Sequence, residues 1–290
     1  MNSIQSENFN LINGEGVDFL KTLKTKSINL VLTDPPYIIS RKSGMQTLFD
    51  KVNEGSNLKT EADWVKFKKV KKLKDDSKKA DYLKYGSIYG KKYAVQTDYG
   101  EWDKNFGLDE LNFFVKEYFR VLKDGGTCII FFDLWKISLL HDMMVEAGFK
   151  QLRMIEWIKT NPQPRNSSVN YLTNCREIAV LGIKKSKPTF NSKYDNGIYK
   201  YPLQGGKMRI HPTQKSLALF EDIIKKHSNE GDIVLDTFLG AATTARACQN
   251  TNRICYGCER ASKYFETYYD SLGVERDEES SDEEFVYEEE

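Results

Sequence analysis

No apolar run in this 290-residue chain approaches the roughly 18 residues that a membrane helix needs. The N-terminal MNSIQSENFNLING has no basic stretch followed by an apolar one, so no secretory signal is expected. Cysteines are few and odd in number. Cys128, Cys175, Cys248, Cys255 and Cys258 fit a reducing compartment better than a disulfide framework. Cys255 and Cys258 form a lone close pair with no second pair to complete a zinc site. The three histidines lack ligand spacing, so no metal is expected. His211 is expected to structure a turn, and His141 and His227 to lie on helix surfaces. There is no GxxxxGK[S/T], which excludes a P-loop NTPase, and no GxGxxG, so a dinucleotide fingerprint is unsupported. Internal repeats are absent. These absences predict an intracellular, cytoplasmic protein that is neither secreted nor membrane-bound. The length allows one large domain or two small ones, and 40% hydrophobic residues can build a sizeable core.

What the chain does have is a hidden charge asymmetry. Its net charge is +1, but Glu275–Glu290 carries ten acidic residues and one Arg, which leaves about +10 on residues 1–274. A block of like charge with few apolar residues predicts a disordered acidic tail over 275–290. The positive body suits a polyanionic partner. The densest basic stretch runs from Lys66 to Lys79, with eight Lys against Asp75 and Asp76. It reads either as a solvated helix face or as an arm that contacts phosphates.

Strands are expected at 9–13, 28–34, 127–132, 152–159, 176–184, 232–236 and 253–259, with 152–159 and 176–184 paired antiparallel. Helices are expected at 16–23, 108–126, 136–148, 214–228, 241–250 and 261–272, with Gly125–Gly126 and Gly148 as stops. Residues 185–210 read as a polar loop. The alternation predicts a doubly wound, mostly parallel α/β sheet. Between Tyr37 and about Gly107 the periodicity is poor, and seventy residues are too many for an ordinary loop. An inserted, partly helical lobe is expected there. Phe113, Phe114 and Phe119 read as core.

Ligands in such sheets bind beyond the C-terminal ends of strands. Two strand ends are unusual. INLVLT leads into Asp34-Pro35-Pro36-Tyr37. Two prolines in succession stiffen the turn. It can present a carboxylate, a carbonyl and an aromatic ring in fixed relation, which suits a planar exocyclic amine. Acceptors holding that amine as it becomes tetrahedral would stabilise its developing positive charge. The competing reading is an ordinary turn. DIVL leads into Asp236-Thr237-Phe238-Leu239-Gly240-Ala241-Ala242-Thr243-Thr244, a small-residue turn before a helix, which is a general nucleotide-binding element. Glu259 ends the next strand, where an acid usually holds ribose hydroxyls.

Together these residues resemble an S-adenosylmethionine-dependent amino DNA methyltransferase. Asp34-Pro35-Pro36-Tyr37 is similar to that family's catalytic motif, and Asp236-x-Phe238-x-Gly240 to its methionine-binding motif. Their order resembles the circularly permuted beta class. His211-Pro212-Thr213-Gln214-Lys215, Leu122-Lys123-Asp124-Gly125-Gly126 and Trp157-Ile158-Lys159-Thr160-Asn161-Pro162 resemble three further family segments. The resemblance covers most of residues 9–270 and implies a Rossmann-like methyltransferase domain over 1–274. It implies that Asp34, Pro35, Pro36 and Tyr37 hold and stack a flipped base. The implied cofactor set is Asp236, Phe238, Gly240, Ala241, Thr243, Glu259, Thr213, Lys215, Glu15 and Asp34, with Lys159 and Asn161 near the base pocket. Two departures stand out: Glu15 where the family often has Asp, and Ala242 where it commonly has Gly.

The implied reaction passes a methyl group from S-adenosylmethionine to an amino nitrogen, leaving S-adenosylhomocysteine, with no metal and no nucleophilic Cys. Asp at the first motif position goes mostly with N6 of adenine in duplex DNA. Base flipping costs a few kcal/mol, part of which Tyr37 stacking would offset. N4-cytosine or RNA adenine methylation, and a catalytically silent nucleic-acid-binding protein, stay open as alternatives. The candidate DNA-reading regions are about 38–107 and about 160–210, the latter with Arg165, Lys184, Lys185, Lys187, Lys193 and Lys207. The class often forms dimers, so a homodimer is an expectation, and a restriction endonuclease partner would be a separate chain.

Overall fold

The structure is a computed structural model. It describes residues 2–37, 58–86, 88, 106–162, 172–205 and 214–275. It divides into two units, one of residues 1–36 with 108–290 and one of Tyr37–Gly107. The first unit opens with β1 (Ser3–Gln5), β2 (Phe9–Asn13), α1 (Gly16–Thr22) and β3 (Ile28–Thr33). The second unit holds α2 (Glu61–Lys71) and α3 (Lys79–Tyr85). The first unit resumes with α4 (Leu108–Val121), β4 (Leu122–Phe132), α5 (Ile137–Ala147), β5 (Lys150–Lys159), β6 (Arg176–Ile183) and β7 (Ile198–Tyr201). It ends with α6 (Leu217–His227), β8 (Ile233–Asp236), α7 (Thr243–Asn250), β9 (Ile254–Glu259), α8 (Ser262–Phe265) and α9 (Thr267–Leu272).

The strands form one sheet in the order β1-β2-β9-β8-β3-β4-β6-β5-β7. The run β2-β9-β8-β3-β4 is parallel, as is β5-β7, whereas β1-β2, β4-β6 and β6-β5 are antiparallel. INLVLT sits at the centre because it can be buried on both faces; Ile28, Leu30, Val31, Leu32 and Thr33 are wholly buried. Leu30, Leu32 and Phe131 join one core cluster with Leu219, Phe220 and Ile223 of α6. The Phe131 and Phe220 rings stack with centroids 5.8 Å apart. The parallel run aligns the C-terminal ends of β2, β9, β8 and β3 along one edge, which positions the site.

In the second unit, Thr60 caps α2 through a reciprocal capping box with Asp63. Trp64 and Phe67 of α2 pack with Tyr82 of α3 into a small aromatic core. Asp76 accepts hydrogen bonds from the Trp64 indole and from Lys68.

Several details differ from the sequence reading. Helix α4 stops at Val121, because Leu122 already pairs with Ile28 of β3. The next β3 pairing joins Leu30 to Thr127, so Lys123–Gly126 bulge out of register. That bulge is tied to the end of β6, with the Gly125 N–H donating to the Lys184 carbonyl and the Lys184 N–H to the Gly126 carbonyl. The expected loop 185–210 contains β7, and the expected helix 261–272 breaks into α8 and α9 at Glu266. Phe114 is core, whereas Phe113 is 36% exposed. His227 is buried rather than on a helix surface. Its ring lies 5.1 Å from that of Phe190, and burial pushes it down to about 4. The five cysteines carry free thiols. No helix among the described residues is long and apolar enough to cross a membrane. The tail beyond Glu275, together with His211–Thr213, Arg165 and Lys207, lies outside the described residues.

Candidate active site

Asp236 is the last residue of β8 and is 3% exposed. A carboxylate so buried needs its lone pairs met. Its Oδ1 accepts the Thr33 hydroxyl at 2.7 Å and the Phe238 N–H at 3.0 Å, and its Oδ2 accepts the Thr244 hydroxyl. Burial pushes the carboxyl up to about 6 against those three bonds. Thr33 is the last residue of β3, directly before Asp34. One side-chain hydrogen bond therefore ties the two unusual strand ends together.

The turn after Asp236 is held by its neighbours. The Gly240 N–H donates to Glu259 Oε2 at 2.8 Å, and the Gly240 carbonyl accepts the Tyr268 hydroxyl at 2.9 Å. The Tyr118 and Thr237 hydroxyls share a hydrogen bond. Gly240 takes a left-handed φ of +52°, and a Cβ there would come no nearer than 3.9 Å to its closest neighbour, the Phe238 carbonyl oxygen. A ligand can thus approach this backbone closely. Gly257 of β9 is needed for another reason: a Cβ there would stand 2.6 Å from the Asp236 carbonyl oxygen. Ala241 and Thr243 are buried beneath the turn, and the Phe238 ring packs 4.9 Å from that of Phe114.

Glu259 ends β9 and is 8% exposed. Besides Gly240, it accepts the Ala261 N–H at 2.8 Å. Burial pushes it up to about 7 despite both bonds. Raised carboxyls clustered at strand ends are a mark of a functional site. Glu15, just after β2, turns to Arg260 in a half-exposed ion pair at 2.8 Å. Nearby, the Gly14 N–H and the Asn13 amide both donate to the Glu259 carbonyl.

Asp34 lies in a charged setting. Its Oδ2 is 2.6 Å from the ammonium of Lys215, which is 6% exposed. The same ammonium reaches Glu177 Oε2 at 2.8 Å, and Glu177 Oε1 meets Lys159 at 2.5 Å. Burial alone would raise the Glu177 carboxyl, but Lys215 and Lys159 together hold it below the ordinary carboxylate range. Pro35 is buried and Pro36 half-buried in the stiff turn, and Tyr37 is the first residue of the second unit. Asn161 accepts the Leu203 N–H at 2.7 Å, which fixes the chain after β7.

The first unit thus gathers Asp34, Asp236, Phe238, Gly240, Ala241, Thr243 and Glu259 on one sheet edge, with Lys215 against Asp34. Thr213 lies outside the described residues. Sequence reasoning missed Thr33, Tyr118, Tyr268 and Glu177. The signal for Glu177 was a lone acid opening an otherwise apolar strand, REIAVLGI. Lys184 is corrected: it is buried, and its ammonium donates to the carbonyls of Arg120 and Leu122, closing the end of α4 instead of facing a polyanion.

A fixed carboxylate at one parallel strand end, beside a small-residue turn and a ribose-type acid on the next two, defines an α/β enzyme with a nucleotide-type ligand site. Residues 28–270 match the N6/N4 family of DNA methylases, and the chain belongs to that family. It is a DNA methyltransferase. It is 28% identical over 278 residues to the Type II methyltransferase M2.MboI of Moraxella bovis, covering 90% of this chain and 86% of that protein. It is 26% identical over 287 residues to M2.DpnII of Streptococcus pneumoniae, covering 92% and 90%. Among solved structures, the M1.HpyAVI–SAM complex is similar with a TM-score of 0.59 at 26% identity, covering 91% of this chain and 98% of that one. The cytosine-N4-specific PvuII DNA methyltransferase shares the fold at 16% identity, with a TM-score of 0.61.

Proposed function

We propose that the enzyme methylates N6 of an adenine flipped out of duplex DNA, with S-adenosylmethionine as donor. The observation that carries this reading is the Thr33–Asp236 hydrogen bond at 2.7 Å, which holds the Asp34 strand end beside the Asp236 turn. The donor supplies an electrophilic methyl group. The residues around Asp236 fit it: the backbone is open at Gly240, and Glu259 is a buried carboxylate with lone pairs beyond those spent on two N–H groups. Asp34 and the Pro35 carbonyl would hold the two amine hydrogens, with Tyr37 as the stacking ring. As the amine lone pair formed the new N–C bond, the sulfonium S–C bond would break with loss of S-adenosylhomocysteine; the nitrogen would become cationic, and the Asp34 carboxylate would stabilise that charge until a proton passes to solvent.

Asp at position 34 supports adenine as the base. The order of the motifs, catalytic before cofactor-binding, supports the beta class. In the second unit, Lys66, Lys69, Lys71, Lys72, Lys74 and Lys78 are exposed, whereas Lys68 and Lys79 are paired with Asp76 and Glu61. These six exposed ammonium groups support phosphate contact, which positions DNA without reading sequence. In the first unit, Lys185, Lys187 and Lys193 are exposed as well. The Type II designation of the relatives supports a place in restriction-modification, with the endonuclease a separate chain and a homodimer as the expected state. A DNA substrate is consistent with a cytoplasmic enzyme.

The test is incubation with methyl-labelled S-adenosylmethionine and unmethylated duplex DNA, followed by digestion and mass spectrometry of the nucleosides. Label in N6-methyladenine, lost in Asp34→Ala, is the expected result. Label in N4-methylcytosine would overturn the base. No label, with cofactor binding intact, would overturn the DNA reading in favour of RNA or a silent binding protein.

A further inference from the structure

We propose that Glu177 is a positioning residue for methyl transfer: by holding Lys215 and Lys159 in one half-buried chain of charges, it fixes the Asp34 carboxylate and sets its strength as an acceptor. This rests on the reading of Asp34 as the acceptor of the target amine.

Glu177 enters from β6, opposite Trp157 of β5, and its side chain is 20% exposed. The chain of contacts runs from Lys159 to Glu177 at 2.5 Å, to Lys215 at 2.8 Å and to Asp34 at 2.6 Å. Two ammonium groups thus alternate with two carboxylates. The Lys215 ammonium also lies 5.4 Å from the centroid of the Phe131 ring, and the Lys159 ammonium 5.2 Å from that of Trp157. The chain is therefore set beside aromatic rings, with Lys215 buried and its other three members half-buried. Ions in such a place must be paired, because an uncompensated buried charge is strongly unfavourable.

Sharing one ammonium between two carboxylates matters for the chemistry. If Lys215 faced Asp34 alone, its whole charge would oppose the positive charge arriving on the amine. Shared with Glu177, the same ammonium still fixes Asp34 Oδ2 in space, but part of its field is offset. Geometry is retained while acceptor strength is preserved. Lys159 keeps Glu177 ionised so that it can do this. Among the described residues, the charged groups that act on Asp34 include Lys215, with Glu177 and Lys159 behind it, and Asp236 on the neighbouring strand, which feels the Asp34 charge.

The test compares Glu177→Gln and Glu177→Asp with the parent enzyme. In Glu177→Gln, kcat should fall about tenfold or more while KM for S-adenosylmethionine stays within about twofold. Lys215 would then act on Asp34 without its offset, so the acid limb of the kcat profile should move down by about one pH unit. Glu177→Asp should restore part of kcat. The activity-independent measurement is a carbon-13 NMR titration of the Asp34 carboxyl, which should move down in Glu177→Gln. Parent-like kcat with an unmoved Asp34 titration would overturn the proposal. So would a joint fall in kcat, cofactor affinity and Tm with Asp34 unmoved, because that marks a structural role only. If the parent chain methylates no DNA base, the reading of Asp34 falls, and the NMR titration decides the Glu177–Asp34 coupling by itself.

Discussion

Asp34 and Asp236 stand at the ends of adjacent parallel strands, yet they are held by different chemistry. Asp34 keeps 22% of its side chain exposed and rests against a full positive charge at 2.6 Å. Asp236 is 3% exposed and is met by two hydroxyls and one backbone N–H, all neutral. Dipoles can orient a buried carboxylate, but here they do not make up for its lost hydration, so its pKa climbs to about 6. A neighbouring ammonium compensates far more. The difference fits the work proposed for each position. Asp34, proposed to meet a developing cation, is paired with an ammonium. A group that shapes a turn is fixed by hydrogen bonds, at some cost in stability.

Placing Asn at each position breaks the comparison most sharply. Asp34→Asn keeps the Lys215–Glu177 pair and removes the anion proposed to face the amine. Activity should fall by about 10²–10³-fold, the scale seen when one electrostatic group at a reacting centre is lost. Asp236→Asn should do the opposite to stability. The folded pKa of about 6 lies above the ordinary aspartate value of 3.8, so the folded state holds a proton that the unfolded chain has lost. That group's contribution therefore falls as pH rises from about 4 to about 6, and it remains a cost above that. The Asn variant should match the parent near about pH 4 and exceed it by about 2–3 kcal/mol near about pH 8, since a tenfold change in proton affinity is worth about 1.4 kcal/mol. Its cofactor affinity should drop. Urea denaturation at the two pH values checks the sign, and a variant less stable at both would refute the account of neutral donors.

Thr33→Val sharpens the comparison at the link itself. Valine keeps the shape but removes the hydroxyl that Asp236 accepts from β3. Loss of one hydrogen bond to a buried charged acceptor should cost about 1–3 kcal/mol. Asp236 should titrate higher still. An unchanged denaturation midpoint would show that the bridge does not couple the two strand ends.

Both strand ends were legible in the sequence because each couples a run buried on two faces to an Asp that cannot continue it. The link between them was not, since Thr33 and Asp236 lie 203 residues apart. Glu177 was hidden for a similar reason: only the fold brings Lys159 of β5 and Lys215, just before α6, to it. Lys184 misled because it sits at the head of a basic segment. Its role is set by the end of α4, whose carbonyls need donors that only the fold supplies. Strand β7 was missed because IYKY is short, lies among polar residues and, among the described residues, pairs with β5 alone, an edge position where apolar patterning is weakest.

The smallest effect is expected within the cofactor turn, where Gly240 and Ala242 share left-handed backbone but differ in side chain. Ala242 has φ +55° and is fully buried. A left-handed alanine carries about 1–2 kcal/mol of strain. Ala242→Gly relieves that strain. It also loses a buried methyl worth about 0.8 kcal/mol and frees the unfolded chain by about 0.4–1 kcal/mol. The opposing terms nearly cancel, so stability should change by less than about 1 kcal/mol. Gly240→Ala adds strain of the same kind without meeting any protein atom closer than 3.9 Å. Its stability loss should also be small, about 1 kcal/mol. Its cofactor affinity should fall, because the new methyl stands on open backbone that the ligand is expected to cover. Calorimetric titration of both variants with S-adenosylmethionine separates the two positions. Equal affinities would mean that the open face of Gly240 is not the face the cofactor uses.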